Sequence, residues 1–189
     1  MISFNNLGNL GRLANQMFQY ASLKGIARHR GYDFVIPPKN FFGAQDYNVK
    51  NSDVTLYDVF NIENRNTVAV VQNPVLQERY HTFDKELFEN CPDKVDLFGY
   101  FQTEKYFKHI EDEIREDFTF KDEILDPCKA MISGVDNPIA LHVRRTDYVT
   151  NSANHPPCIL EYYEEALKHF DADRNVIVFS DDPAWCNEQ

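Results

Sequence analysis

Ile139-Ala-Leu-His-Val-Arg-Arg-Thr-Asp-Tyr148 changes character halfway along. The first five residues are the nearly continuous apolar run of a strand covered on both faces, as in parallel sheets. The next five are polar or charged and predict a loop. Downstream, Ile159 to Phe170 keeps Ile159, Tyr163, Ala166, Leu167 and Phe170 on one helical face, and Val176-Ile-Val-Phe179 is a second buried-strand run. Strand, helix and strand form a βαβ unit, which predicts parallel strands and a right-handed crossover. Parallel strands end on one edge, so Arg144 and Arg145 should share a rim with Ser180, Asp181 and Asp182. Ligands of open α/β sheets bind at that rim. The connection from Thr146 to Cys158 is long for a strand-to-helix loop, and such loops are often functional.

The chain opens in a related pattern. Gly8 and Gly11 mark a loop, and Leu13, Met17, Tyr20 and Ala21 then recur at helical spacing. The helix is expected to reach Arg30 and stop at Gly31, with a strand over Tyr32 to Ile36 before Pro37-Pro38. Val68-Ala-Val-Val71 is expected to be a buried parallel strand. Thr103 is expected to cap a helix with Phe107, Ile110, Ile114 and Phe118 on its inner face. Phe41 to Asn66 is irregular. Small and turn-forming residues from Ser133 to Asn137 predict a boundary, giving an α/β domain over 1–132 and the start of a second over 133–189.

Thirty acidic against nineteen basic residues give a formal charge of −11, which opposes nucleic-acid and anionic-membrane partners. Cys91, Cys128, Cys158 and Cys186 form no CxxC pair and are expected to be free thiols. The first residues lack the basic and apolar regions of a signal peptide, and no apolar run is long enough to cross a bilayer. The expectation is a soluble, cytoplasmic protein. Glu111 to Asp117 alternates with apolar residues and is taken as a solvated helix face. Asp171-Ala-Asp173 has the letters of a metal-dependent sugar-transfer site, but its place before a strand puts it on the edge opposite the rim, so no metal site is expected.

His142 to Tyr148 is the sharpest chemical feature. Adjacent guanidinium groups at a strand's C-terminal end suit bidentate phosphate binding. Structural ion pairs of Arg144 and Arg145 with Asp147 and Asp181 explain them equally well. His142, inside the strand, is expected to be packed and hydrogen-bonded rather than a base. Asp147 is a candidate base or a brace for an arginine. Gly11, Asn15 and Gln16 lie at a glycine-bearing turn into a helix N-terminus, where free N–H groups favour an anion or polar ligand. The two amides suit sugar hydroxyls, or the tethering of a neighbouring loop.

Gly11-Arg-Leu-Ala-Asn-Gln-Met-Phe-Gln-Tyr-Ala21 resembles the Gly-x-Leu-Gly-Asn-Gln-Met-Phe-Gln-Tyr-Ala opening of bacterial and viral α-1,2-fucosyltransferases. Gly99-Tyr-Phe-Gln-Thr-Glu-Lys-Tyr-Phe107 is similar to that family's mid-chain segment, and His142 to Tyr148 to its His-Val-Arg-Arg-Gly-Asp-Tyr motif. Val178-Phe-Ser-Asp-Asp182 and Trp185 follow in order.

The resemblance implies a GT-B-like fold of two Rossmann-type parallel sheets flanked by helices, with the nucleotide-sugar half incomplete at Gln189. It implies inverting, metal-independent transfer of L-fucose from GDP-fucose to a galactoside 2-hydroxyl, with no cofactor. Arg144 and Arg145 would contact the diphosphate. With Asp147 they are the catalytic candidates, and His142, Ser180, Asp181 and Asp182 complete the donor-side set. Gly11, Asn15 and Gln16 are the acceptor-side or loop-binding set, facing a galactose-terminated glycan. Ala14 and Thr146 each stand where the family has glycine, and threonine at the second position is found in α-1,6-fucosyltransferases, which keeps that linkage as an alternative. A non-catalytic remnant that binds a nucleotide sugar or glycan is the alternative from another class, and a different donor sugar a third.

Overall fold

In a computed structural model, described for residues 1–39, 54–62, 67–68 and 70–189, the chain is an α/β protein of two compact units, Met1–Pro127 and Cys128–Gln189. Each unit is built on a parallel sheet flanked by helices.

The first unit begins as its sequence predicts. Strand β1 (Ile2–Ser3) leads through the glycine loop into helix α1 (Leu13–Arg30), which returns to β2 (Phe34–Val35), parallel to β1. Gly31 ends α1 at φ 70°, a left-handed conformation that costs glycine little. Its N–H and that of Tyr32 return to the carbonyls of Arg28 and Ala27. The helix is more enclosed than a one-faced stripe implies: every residue from Gln19 to Ala27 is buried. Lys24 is admitted because its ammonium pairs with Asp117 at 2.6 Å. Gly25 is needed for close packing, since a Cβ there would lie 2.1 Å from the Tyr106 carbonyl oxygen.

The sheet is completed on the other side of β1. The order is β2-β1-β4-β3, with β3 (Val75–Gln77) and β4 (Asp96–Phe98) both parallel to their neighbours. The strand expected over Val68 to Val71 is displaced to β3. Thr67 makes one bridge to Ile36, while Val68 and Val70 are 42% and 52% exposed, so the valine run is not a buried strand; Ala69 lies outside the described residues. The helix expected from Thr103 is instead two 3-10 turns, Glu104–Tyr106 and Lys108–Ile110, followed by α4 (Glu111–Asp117). The break falls at Phe107, whose φ of −134° and ψ of 4° are not helical. Two short helices, α2 (Leu56–Val59) and α3 (Lys85–Asn90), and aromatic contacts such as Phe4 on Phe101 finish the core. Most of the stretch expected to be irregular, Phe41 to Asn66, lies outside the described residues.

Helix α5 (Asp122–Ile132) precedes the second unit's sheet. That sheet is β5 (Ile139–Val143) and β6 (Val176–Ser180), parallel and in register from Ile139 opposite Val176 to Val143 opposite Ser180. Between them run α6 (Thr146–Thr150) and α7 (Leu160–Leu167), and α8 (Pro183–Glu188) follows. The βαβ order is as predicted, but the strands are not covered on both faces. Ile139 and Val143 are buried, whereas Val178 and Phe179 are 46% and 53% exposed. With two strands in this unit's sheet among the described residues, side chains on both faces of β6 remain exposed. Tyr163, Ala166 and Leu167 keep the inner face of α7, and Ile159 and Phe170 beyond its ends are exposed.

Candidate active site

The parallel register of β5 and β6 fixes the rim. Val143 pairs with Ser180, so Arg144 and Arg145 leave the sheet beside Asp181 and Asp182. The Asp181 carboxylate is the hub: it accepts the Arg145 backbone N–H at 2.9 Å and the Thr146 hydroxyl at 2.5 Å, and lies 3.2 Å from Arg144 Nη1. Partial burial pulls its pKa upward, but those two hydrogen bonds and the Arg144 charge outweigh it and hold the carboxyl below the usual aspartate range. Arg144 also donates from Nη2 to Asp147 at 2.8 Å, and this bond to Asp147 raises the arginine's own pKa.

Arg145 is held differently. Its guanidinium lies over the Trp185 ring, 4.0 Å from the centroid, and only Nε reaches a carboxylate, Asp182, at 3.4 Å. Nη1 and Nη2 make no hydrogen bond among the described residues. Asp182 is fixed in turn by capping α8, where it accepts the Trp185 N–H, and Ser180 Oγ accepts the Asp182 N–H. Both readings of the arginine pair therefore have a place: Arg144 is held between two carboxylates, while Arg145 presents free terminal nitrogens from a rigid aromatic support. Fork-shaped donors of that kind suit phosphate oxygens.

His142 is exposed on β5 rather than packed, because it points away from the face that buries Ile139 and Val143. The connection after Arg145 is ordered: α6 occupies its first part, and Tyr148 stacks on His155 at 5.1 Å. Thr146 begins α6 without positive φ, so the β-branched residue meets no left-handed strain. Asp171 and Asp173 lie in the turn before β6, at the opposite end of that strand from Arg145. Among the described residues no group of three or more His, Cys, Asp or Glu side chains is placed to hold a metal ion, and no helix is long and apolar enough to cross a membrane.

The acceptor-side candidates lie within the first unit and diverge in role. Gln16 is 1% exposed and tethers a loop: its Nε2 donates to the Val54 carbonyl and its Oε1 accepts the Leu56 N–H, both at 3.2 Å. Asn15 stays at the surface and accepts from Gln102 Nε2 at 2.5 Å. Gly11, at φ 80°, makes room for it, since a Cβ would lie 2.0 Å from Asn15 Nδ2. Ala14 sits inside α1 with ordinary helical φ and is accommodated. An open apolar groove of about 580 Å³ runs between Met17, Phe18 and Ala21 of α1 and Phe107, Ile114 and Phe118.

Residues 2–189 match the model of Glycosyl transferase family 11. The chain belongs to that family. Similar proteins include galactoside alpha-(1,2)-fucosyltransferase 2 of Sus scrofa, 29% identical over 95% of this chain and 54% of the relative. The corresponding Oryctolagus cuniculus protein is 30% identical over 95% of this chain and 52% of its own length. An alpha-1,2-colitosyltransferase of Escherichia coli is 28% identical over 94% of this chain and 69% of the relative. The chain thus spans about half the length of these mammalian relatives. No solved structure matches it.

For this family 11 chain, three side-chain contacts, two in the second unit and one in the first, were not legible in the sequence. Trp185 was legible as a motif residue but not as the support for Arg145; the signal was the Asp182-Pro183 helix start, which puts the indole one turn into α8. Thr146 was read as a departure and proves to be a donor to Asp181. Gln19, which ties two loops together, carried no signal beyond being an amide in an apolar helix.

Proposed function

We propose that this chain is part of an α-1,2-glycosyltransferase that moves L-fucose from GDP-fucose to the 2-hydroxyl of a galactoside, inverting the anomeric centre without a metal. The observation that carries the donor assignment is Arg145, with its terminal nitrogens unengaged on the C-terminal rim of a parallel sheet and its guanidinium held on Trp185. The linkage is supported by the relatives' names: the pig, rabbit and Escherichia coli proteins are all named for α-1,2 transfer. This favours α-1,2 over the α-1,6 alternative.

In this mechanism the acceptor oxygen bonds to C1 from the face opposite the nucleotide. The C1–O bond to the diphosphate breaks, its electron pair leaves on GDP, and the acceptor proton passes to a base or to solvent. Arg145 binds the charge that grows on the diphosphate, and because it is already oriented it stabilises the transition state more than the ground state. One such donor contributes about 3 kcal/mol. Arg144 orders the rim through Asp147 and Asp181, and Asp147 acts as its brace. In a GT-B arrangement the first unit would hold the acceptor and the second the donor.

The relative named for colitosyl transfer favours a second reading of the donor sugar alone, in which a sugar other than fucose is moved. Four free cysteines fit a reducing, cytoplasmic setting. Transfer from GDP-fucose to lactose in EDTA, with the linkage of the product determined, tests the proposal. An α-1,2-linked product supports it; a metal requirement or another linkage contradicts it.

A further inference from the structure

The first unit has a C-terminal strand edge of its own. In the order β2-β1-β4-β3, β1 and β4 are parallel neighbours, so the loops that leave them start side by side on the C-terminal edge of the sheet. Ligands of open α/β sheets bind outside that edge, where such loops lie. Here the loops are residues 4–12 and 99–102.

Gln19, fully buried beneath them, staples the two loops: its Nε2 donates to the Leu10 carbonyl at 3.1 Å and to the Gly99 carbonyl at 3.2 Å. Glu78 fixes the second loop, accepting the N–H groups of Tyr100 and Phe101 at 3.0 and 2.9 Å. That clamp holds Phe101 at φ 52°, a left-handed conformation a bulky residue rarely adopts. The fixed loop delivers Gln102 to Asn15. Their bond uses one Gln102 donor and the Asn15 oxygen. Asn15 Nδ2 and Gln102 Oε1 make no hydrogen bond among the described residues, which leaves a donor and an acceptor side by side at the surface. In the adjoining loop Asn9 is 2% exposed, and its Oδ1 and that of Asn6 have no protein partner. Buried polar atoms in that state mark a place where a polar ligand or water belongs.

We propose that the Asn15 and Gln102 amides are a recognition site for neighbouring hydroxyls of the acceptor sugar, with Glu78 as the positioning residue that sets the Gln102 loop. A donor and acceptor pair without net charge matches hydroxyl groups, each of which can donate and accept, whereas a phosphate oxygen only accepts and would leave the Gln102 Oε1 acceptor unused. The identity of the sugar rests on the function proposed above; the site itself rests on the loops.

The test is NMR titration of the chain with methyl β-D-galactopyranoside, following the side-chain amide signals of Asn15 and Gln102, with GDP titrated separately. Saturable shifts of both signals are expected. Gln102→Ala and Asn15→Ala should each weaken sugar binding about tenfold at an unchanged unfolding midpoint, the loss of about one hydrogen bond. Glu78→Gln, which keeps an acceptor for the clamp, should bind the sugar better than Glu78→Ala. Amide signals that do not respond, or equal affinity in Gln102→Ala, would overturn the assignment. Sugar binding without GDP binding would leave this site standing and count against the donor reading.

Discussion

Arg145 rests on Trp185, the chain's single tryptophan, with its guanidinium 4.0 Å from the ring centroid, while its neighbour Arg144 is held by the carboxylates of Asp147 and Asp181. Two adjacent residues of one type therefore have different work. Because the indole senses the charge above it, GDP binding at this rim should change the intrinsic fluorescence of Trp185. Arg145→Ala should abolish the change at matched GDP concentrations, whereas Arg145→Lys, with no planar fork, should retain only part of it. A GDP response that persists unaltered in Arg145→Ala would place the nucleotide elsewhere.

Thr146→Gly installs the glycine of the motif that this segment resembles, yet it should destabilise this chain. Thr146 has no positive φ for a glycine to relieve, and its hydroxyl donates to the ionised Asp181. Losing that bond and adding backbone freedom at the start of α6 should cost about 1 to 3 kcal/mol. Urea unfolding checks this, and equal or higher stability would refute it.

Gly11→Ala should be destabilising for a different reason. The left-handed φ of 80° and the 2.0 Å approach of Asn15 Nδ2 leave no place for a Cβ. Either the turn or the Asn15 side chain must move, at a cost of about 1 to 3 kcal/mol. Thermal unfolding reads that cost, and loss of the Asn15 amide signal from its folded position would show which group moved.

Two carboxylates should contribute opposite pH dependences. The bond from Arg79 holds Asp84 below the usual aspartate range despite burial, so its stabilisation is present above the unfolded pKa and is lost as pH falls through the folded one. Burial raises Asp96 in spite of hydrogen bonds from the Asn5 N–H and the Ser3 hydroxyl. Its folded pKa is the higher, so its contribution is fully present below the unfolded pKa and fades as pH rises through the folded value. Asp96→Asn should therefore gain stability relative to wild type as pH rises above the ordinary aspartate range, and the deficit of Asp84→Asn should shrink as pH falls below that range. Parallel stability profiles for the three proteins would contradict both assignments.

What could be read from sequence followed from local signals. Gly31 stops α1 and the apolar runs form β5 and β6, each because a side chain or its absence dictates the backbone at that point. The shared rim of Arg145 and Asp181 followed from the parallel pairing alone. Strand β3 was hidden because Val75-Leu-Gln77 has little pattern of its own; its place is set by pairing with Asp96, Leu97 and Phe98 across twenty residues of intervening chain. Val68 to Val71 had the composition of a strand without that partner. The helix from Thr103 had the right periodicity, but Phe107 leaves helical backbone, and periodicity does not register a break that keeps side chains on the same face. The Asn15 and Gln102 contact joins residues 87 apart and had no local signal.

Isothermal titration of the folded chain with GDP in EDTA, beside Arg145→Ala, is the most direct measurement of the central claim that a diphosphate is held at this rim without a metal. The account predicts binding in EDTA and at least tenfold weaker binding by a variant that unfolds at the same temperature. Equal affinity in the two proteins, or no binding by the folded wild-type chain, would contradict it.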